Sequence, residues 1–449
     1  MMPHTITIIG AGSAVFSLGM VRDLCLTPSL QGSTVRFMDI DQGRLDAIHA
    51  LCTRYAAEMG VSLHLEKTTD RRAALAGADV VVNAALVAGH HRLRAGWQVA
   101  QRHGYRWGGS LHVMHDEAFW VNFPQLRLFE SVIEDVLELC PEAWYIQIAN
   151  PVKAGITHLA RTYPQAKIVG LCHGYGGVYY LANKLGLERE HLTYEIPGVN
   201  HFIWLTKLFY RGEDAMPLLA KWIEEQGPRH WQTCGYSDEM GPKKSDLFKR
   251  YGAWPIGDTG GDGGGSWGWE YHSDDATEAR WREKPAVFWN KFFSGGEHEV
   301  AEIKRISGDH EARVTEHFPP HMSGESIIPV VEALLLDLPR VVLCNIPNTG
   351  EYVPGVPRDF QVEVPALVSR RGIQGIQTSG LPVAAQAALL RDCVAPTNLE
   401  LAAYAQRDYG LLLELIMLDP WTRTPEQAKA MLDEVLALEF NAEMRDHYR

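Results

Sequence analysis

Residues 170–177 read GLCHGYGG, a cysteine touching a histidine among glycines, directly behind the apolar run AKIVG. A second pair, Asn200 and His201, follows in GVNHFIWL. Sulfur and imidazole nitrogen are donors that hold first-row divalent ions, and a two-ligand protein site leaves coordination positions open for substrate oxygens. Each residue also has a plainer reading. Free cysteines are among the most buried residue types, so Cys172 taken in isolation reads as a buried apolar thiol. His201 alone is readable as a structural histidine. What decides between them is where the chain places these residues relative to the rest.

The first 200 residues alternate short β-rich runs with helical patterns. The expected strands are 5–10, 34–39, 62–68, 78–85, 143–150 and 166–172. Helical stretches lie between them at Ser13–Leu26, Asp41–Met59, Pro124–Leu139 and Ala154–Arg161. Apolar strands without polar alternation suit a parallel sheet covered on both faces, and repeated βαβ units imply a doubly wound α/β domain. In such a sheet Asn83, Asn150 and Cys172 with His173 all end strands at the carboxyl edge, where ligands bind. Past residue 196 the texture changes to longer helical patterns: Ala215–Glu225, Val287–Ile306, Glu325–Leu336, Val383–Met417 and Pro425–Leu438. The expected architecture is α/β, an N-terminal doubly wound Rossmann-type domain over 1–195 followed by a C-terminal α+β domain over 196–449. The Gly-rich stretch GDTGGDGGGSWGW at 257–269 predicts a mobile loop or a close backbone approach to a ligand, the plain alternative being a surface insertion with no role.

A nucleotide site is written at the start. TITIIGAGSAVF is a strand, then Gly10-Ala11-Gly12-Ser13, then a helix. Gly10 permits the tight turn, Gly12 admits a pyrophosphate close to the backbone, and the helix N-terminus attracts that anion. Val15 stands where the third glycine of the fingerprint would be, so the motif is incomplete. Asp39 ends the second strand at the spacing of a ribose-binding carboxylate; the alternative is that it caps the following helix. With Asn83 in register as a third element, these residues predict NAD, and an acid at 39 without an adjacent arginine favours NAD over NADP.

Composition excludes several classes. Net charge is −13 and no cluster of five basic residues occurs, so nucleic acid is not an expected partner. Seven cysteines scattered over 449 residues are an odd, thin set. They read as reduced thiols of a cytoplasmic protein rather than a disulfide framework. No run approaches 18 apolar residues, and the N-terminal segment lacks a basic flank, so no membrane partner or leader is expected.

Taken in order, GAGS, ANPV, LCHG, GVNHFIWL, YRGEDAMPLL, YGAWPIGDT and SGESIIP closely resemble the NAD- and metal-dependent glycosidases of glycoside hydrolase family 4. The resemblance runs from residue 5 to about 445 and rests on the ordered set rather than on one motif. It implies a lactate/malate-dehydrogenase-like fold and a cycle of oxidation at C3 of the sugar, proton abstraction at C2, elimination, water addition and re-reduction, outside the two-carboxylate scheme. It implies NAD and Mn2+ (or another divalent metal) as cofactors, with Cys172 and His201 as metal ligands. Asn150 then holds substrate hydroxyls, and His173 and Asn200 lie beside the substrate. Asp258, in PIGDT, matches the proton-abstracting base; its plain alternative is a turn aspartate.

The loop carrying the leaving-group acid departs from the family pattern. Here it reads HGYRWGGSLHVMHDEAFW, with Asp116 as candidate acid and His115 and His112 behind it, against a simple helix cap. Cys-His-Gly at 172–174 resembles the branch acting on uronic acids, α-glucuronidases and α-galacturonidases. Arg92, Arg94 and Arg106 are the cationic candidates for a sugar carboxylate. The partner is thus a small glycoside or oligosaccharide, and a homodimer or homotetramer is expected. The competing readings are a conventional NAD-dependent sugar dehydrogenase, α-galactosidase or α-glucosidase specificity, and a silent sugar-binding protein.

Overall fold

Runs such as TITII and VVVN are buried on both faces of the sheet. Ile6, Ile8, Val80 and Val82 belong to one core cluster, Ile9 and Val81 to another on the opposite side. The computed structural model describes residues 4–87, 89–109, 118–236, 238–261, 268–309 and 311–449. The N-terminal strands are β1 (Thr5–Ile9), β2 (Thr34–Met38), β3 (His64–Thr68), β4 (Val80–Asn83), β5 (Trp144–Gln147) and β6 (Lys167–Gly170). They pair in parallel in the order β3-β2-β1-β4-β5-β6, the strand order of dinucleotide-binding sheets. The outer strand β3, HLEKT, is largely polar, as suits an unpaired edge.

Chain order continues with β7 (Leu192–Glu195), β8 (Gly198–Val199), β9 (Phe202–Leu205), β10 (Lys207–Tyr210), β11 (Glu213–Asp214), β12 (Trp254–Ile256), β13 (Arg340–Pro347), β14 (Gln361–Ser369) and β15 (Gly372–Gly375). Strands β7, β10 and β11 form a small antiparallel sheet. The others extend the main sheet past β6 in the order β13-β14-β8-β9-β12, with β15 also on β14. These pairings are antiparallel, so among the described residues one mixed 12-stranded sheet carries both halves of the chain.

Two helical expectations are corrected. The pattern over 383–417 is not one helix. Val383–Leu389 passes through a wide π turn at Leu390–Val394 into Ala395–Gln406. Pro396 has no N–H to offer the preceding turn, which accounts for the change of register there. Arg407, at φ 57, then ends the run, and Asp408 caps the separate helix Tyr409–Met417. The helix expected from Pro124 begins at Phe119, because Phe119–Phe123 are all buried and the apolar contact outweighs the proline inside. Among the described residues no helix is long and apolar enough to cross a membrane.

Candidate active site

At the carboxyl edge of β1 the chain turns through Gly10, at φ 79. A Cβ there would sit 2.5 Å from the Ala85 Cα, so only glycine fits. The Gly12 N–H donates to Asp39 Oδ2 at 2.8 Å, and Asp39 Oδ1 accepts from the Asp41 N–H at 2.8 Å. The cap of the next helix is Asp41, which accepts from the Arg44 N–H. Asp39 is therefore not the helix cap; it bridges the glycine turn to the end of β2. Ser13, at the N-cap of Ala14–Cys25, makes no side-chain cap bond, so the first-turn amides keep their capacity for an anion. Next to Asp39, Ile40 is 88% exposed, an apolar side chain where a flat base could cover it. Asn83 is fully buried, donating to the Tyr145 hydroxyl at 2.7 Å and accepting from the Ala85 N–H at 3.1 Å, so its amide shapes the turn after β4.

The sheet register explains how the second half of the site assembles. Gly170, Asn345, Glu363 and Gly198 stand opposite one another across β6, β13, β14 and β8. Cys172 lies two residues beyond one end of that row, and Asn200-His201 just beyond the other. The latter two residues are the tight loop joining β8 to β9, whose register pairs Val199 with Phe202. His201 takes φ 63, an unusual conformation for a non-glycine residue and one that clusters at functional positions. Its side chain is only 9% exposed, and its Nε2 lies 3.5 Å from Asp258 Oδ2. Asn200 is held by the Gln361 side chain at its N–H and donates its amide to Glu363 Oε2 at 3.2 Å. The corner of Asn150-Pro151, a cis peptide, is held by Gln147, whose amide donates to the Ala149 and Pro151 carbonyls.

Negative charge is concentrated here. Burial, then Glu363 and Asp258, push the Cys172 thiol well above its ordinary range. Burial pushes the Glu363 carboxyl up to about 8, with Asp258 adding to it. The hydrogen bond from His173 to Glu325, 3.0 Å, raises the histidine's affinity for a proton. Asn200 Oδ1 and Glu363 Oε1 are buried without partners. The carboxyls of Glu363 and Asp258 acting on Cys172, beside the orphaned oxygens of Asn200 and Glu363, suit this place to a cation. Among the described residues no set of three His, Cys, Asp or Glu side chains forms a ready metal cage. A divalent ion held by Cys172 and His201 would keep coordination positions for substrate oxygens and water. The donor set fits.

A cavity of about 370 Å³ opens beside these residues, with His173, Gly177, Glu239, Lys244, Asp258 and Glu283 in its wall. The described part of the Gly-rich stretch makes a close approach, though to backbone: Gly257, at φ 60, lies so near Gly174 that a Cβ would fall 2.6 Å from its carbonyl oxygen. The three arginine candidates are engaged elsewhere. Arg92 lies over Phe440, Arg94 over Phe293, and Arg106 bonds Glu278 and Asp275. Asp116, His115 and His112 lie outside the described residues. Glu363, Ile40 and the lysines of the cavity wall were not visible as site residues in the sequence. Their only signal was an acid in the strand-like run QVEVPALV, an apolar residue after Asp39, and an adjacent lysine pair.

The family model for the family 4 glycosyl hydrolases matches residues 5–188, and that for their C-terminal domain matches 196–422. An α-glucosidase of Erwinia rhapontici is 26% identical over 93% of this chain and 94% of its own. An α-galacturonidase of Thermoanaerobacter italicus is 25% identical over 96% of this chain and 95% of its own. Among solved structures, a 6-phospho-α-glucosidase from gut microorganisms, in complex with NAD and Mn2+, is 18% identical. It covers 97% of this chain and 98% of its own, with a TM-score of 0.79.

Proposed function

The chain belongs to the family 4 glycosyl hydrolases, and from that premise we propose that it hydrolyses α-glycosides of a uronic acid, α-galacturonides or α-glucuronides, using NAD+ and Mn2+. The observation that carries the reading is the meeting of the Asn200-His201 loop with Asp258 beside Cys172, at the carboxyl edge that also holds the Gly10–Asp39 cradle. When bound, NAD+ would supply a reversible hydride acceptor and the divalent ion would supply Lewis-acid polarisation of a sugar oxygen. The chain's own residues do the rest. Gly10, Gly12, Ser13 and Asp39 hold the dinucleotide, with Asn83 shaping the turn beneath it. Cys172 and His201 hold the metal, Asn150 and Asn200 orient substrate hydroxyls, and the Asp258 carboxylate removes the C2 proton. The departing glycosidic oxygen needs an acid, and Asp116 is the candidate. His173, in the cavity wall and braced by Glu325, would be the cationic group for the sugar carboxylate. Uronate preference is supported by Cys-His-Gly and by the α-galacturonidase among the relatives.

A neutral α-glucoside or α-galactoside is the second reading. It is favoured by the pairing of Lys243 and Lys244 with Glu283 and Glu239, which spends the cavity's ammonium groups internally. The test is a panel of aryl α-glycosides, neutral and uronic, with NAD+, Mn2+ and thiol reductant. Aglycone release without net absorbance gain at 340 nm, at least tenfold faster for a uronide, is expected. Stoichiometric NADH accumulation would establish a dehydrogenase instead, and preference for neutral sugars would move the substrate to the second reading.

A further inference from the structure

Asp258 sits on a five-residue turn, 257–261, whose own bonds are few. The Thr259 N–H donates to the Ile256 carbonyl and the Gly261 N–H to the Asp258 carbonyl. Gly257 and Gly260 both have positive φ, so the turn has little intrinsic stiffness. Its side chains are half exposed at the important point: Asp258 is 57% exposed. A carboxylate that must meet one C–H bond needs better placement than such a turn supplies alone.

Three contacts supply it. Lys243 and Lys244 open the helix Pro242–Tyr251 and are both buried. Lys244 Nζ donates to the Gly257 carbonyl at 3.2 Å, at the start of the turn. Lys243 Nζ donates to the Gly261 carbonyl at 2.6 Å, at its end. Between them the Thr259 hydroxyl accepts from the Ile203 N–H at 2.7 Å, tying the middle of the turn to β9, two residues past His201. Each ammonium is fixed by a carboxylate, Lys243 by Glu283 at 2.9 Å and Lys244 by Glu239 at 2.7 Å. Lys243 also donates to His272 Nε2 at 3.3 Å, so all three of its hydrogens are used. Burial and the neighbouring Lys243 keep His272 neutral, which leaves that nitrogen able to accept.

A buried charge pair is a poor device for stability, since desolvation offsets most of the attraction, but a good one for fixing geometry. We propose that Lys243 and Lys244 are positioning residues that clamp the two ends of the 257–261 turn and so aim the Asp258 carboxylate at the substrate C2 proton. Neither touches the reacting atoms. The proposal rests on the assignment of Asp258 as base, and its test separates the two.

The first arm measures amide hydrogen exchange by mass spectrometry on the metal-free, full-length protein. K243M should raise exchange of the peptide spanning 256–261 at least tenfold over wild type while leaving the β1–β6 peptides unchanged. Unchanged protection in that peptide would overturn the clamp, whatever Asp258 does. The second arm is a double-mutant cycle on deuterium uptake at C2 of the sugar in D2O. K243M alone should slow uptake about 10–100-fold, the scale of a misplaced catalytic group. In the D258N background, already low, K243M should cost nothing further, because the two changes remove one function. An equal additional loss in that background would make Lys243 a general structural residue and overturn the proposal. If D258N keeps wild-type uptake, the base assignment falls while the exchange arm still reads the clamp. Should K243M fail to fold, E283Q, which keeps shape and removes the fixing charge, is carried through both arms with the same outcomes.

Discussion

Replacing Glu363 by glutamine should change how the stability of the metal-free protein depends on pH. Glu363 is fully buried in β14, accepts from Asn200, and burial holds its carboxyl at about 8 against an ordinary value of 4.5. Below about pH 4.5 the carboxyl is protonated folded or unfolded and contributes no pH dependence. Between that pH and about 8 the unfolded chain has lost the proton while the folded one retains it. The folded state then binds more protons, and stability falls as pH rises. Above about 8 the whole cost is present. At about 1.4 kcal/mol per pH unit, the shift corresponds to an upper bound of roughly 5 kcal/mol, and relaxation around the site argues for roughly half. Glutamine cannot ionise, so the variant should gain about 2–5 kcal/mol on wild type between pH 5 and 9. Any constant offset from the altered hydrogen bonding is subtracted by taking the slope. Urea denaturation in chelator at several pH values measures it. A wild-type minus variant difference that stays flat over that range would refute the reasoning, since it would mean that Glu363 ionises in the folded protein as it does in water. Added Mn2+ should flatten the wild-type slope, because a cation beside Cys172 favours the ionised carboxylate.

Asp39→Ala should weaken NAD+ by about 1–3 kcal/mol in calorimetry, through the lost ribose hydrogen bond and the released Gly12 turn; unchanged affinity would remove Asp39 from the site. Chelation should abolish turnover and Mn2+ should restore it, and Cys172→Ser should bind Mn2+ at least tenfold more weakly in a metal titration, the cost of exchanging a thiolate for a neutral hydroxyl. Full activity of Cys172→Ser in metal-free buffer would sink the ligand assignment.

The parallel half of the fold was legible because its signals are local. β1 through β6 each fall within a few residues of the expected strands, since short runs rich in β-branched or aromatic residues alternating with helical patterns have few other readings. The antiparallel half was not. β8 and β14 pair only at Gly198–Glu363, and β8 is two residues long, so nothing in a sequence window marks it. Arg340–Pro347 is apolar enough to read as a strand, but its partners lie at Gly170 and Gln361–Ser369, and such pairing is a fact of topology rather than of pattern.

The site divides along the same line. Gly10 and Asp39 are candidates from sequence because their immediate neighbours carry the signal, a turn and a strand end, whereas Cys172 and His201 become candidates only through the family resemblance. Glu363 had no such neighbour. In QVEVPALV it reads as an ordinary acid facing out of a strand, and only pairing with β13 and β8 turns it inward, between Asn345 and Gly198. Lys243 and Lys244 read as a solvated charge run, yet both are buried: Lys244 pairs with Glu239 five residues before it, and Lys243 with Glu283, 40 residues on. Buried charges are tolerable only when paired, and the Lys243 partner is out of reach of any local window. Sequence therefore shows the groups that would touch the reaction and hides those that hold them in place. Those hidden groups are set by which distant elements the fold brings together, and a local motif cannot encode that.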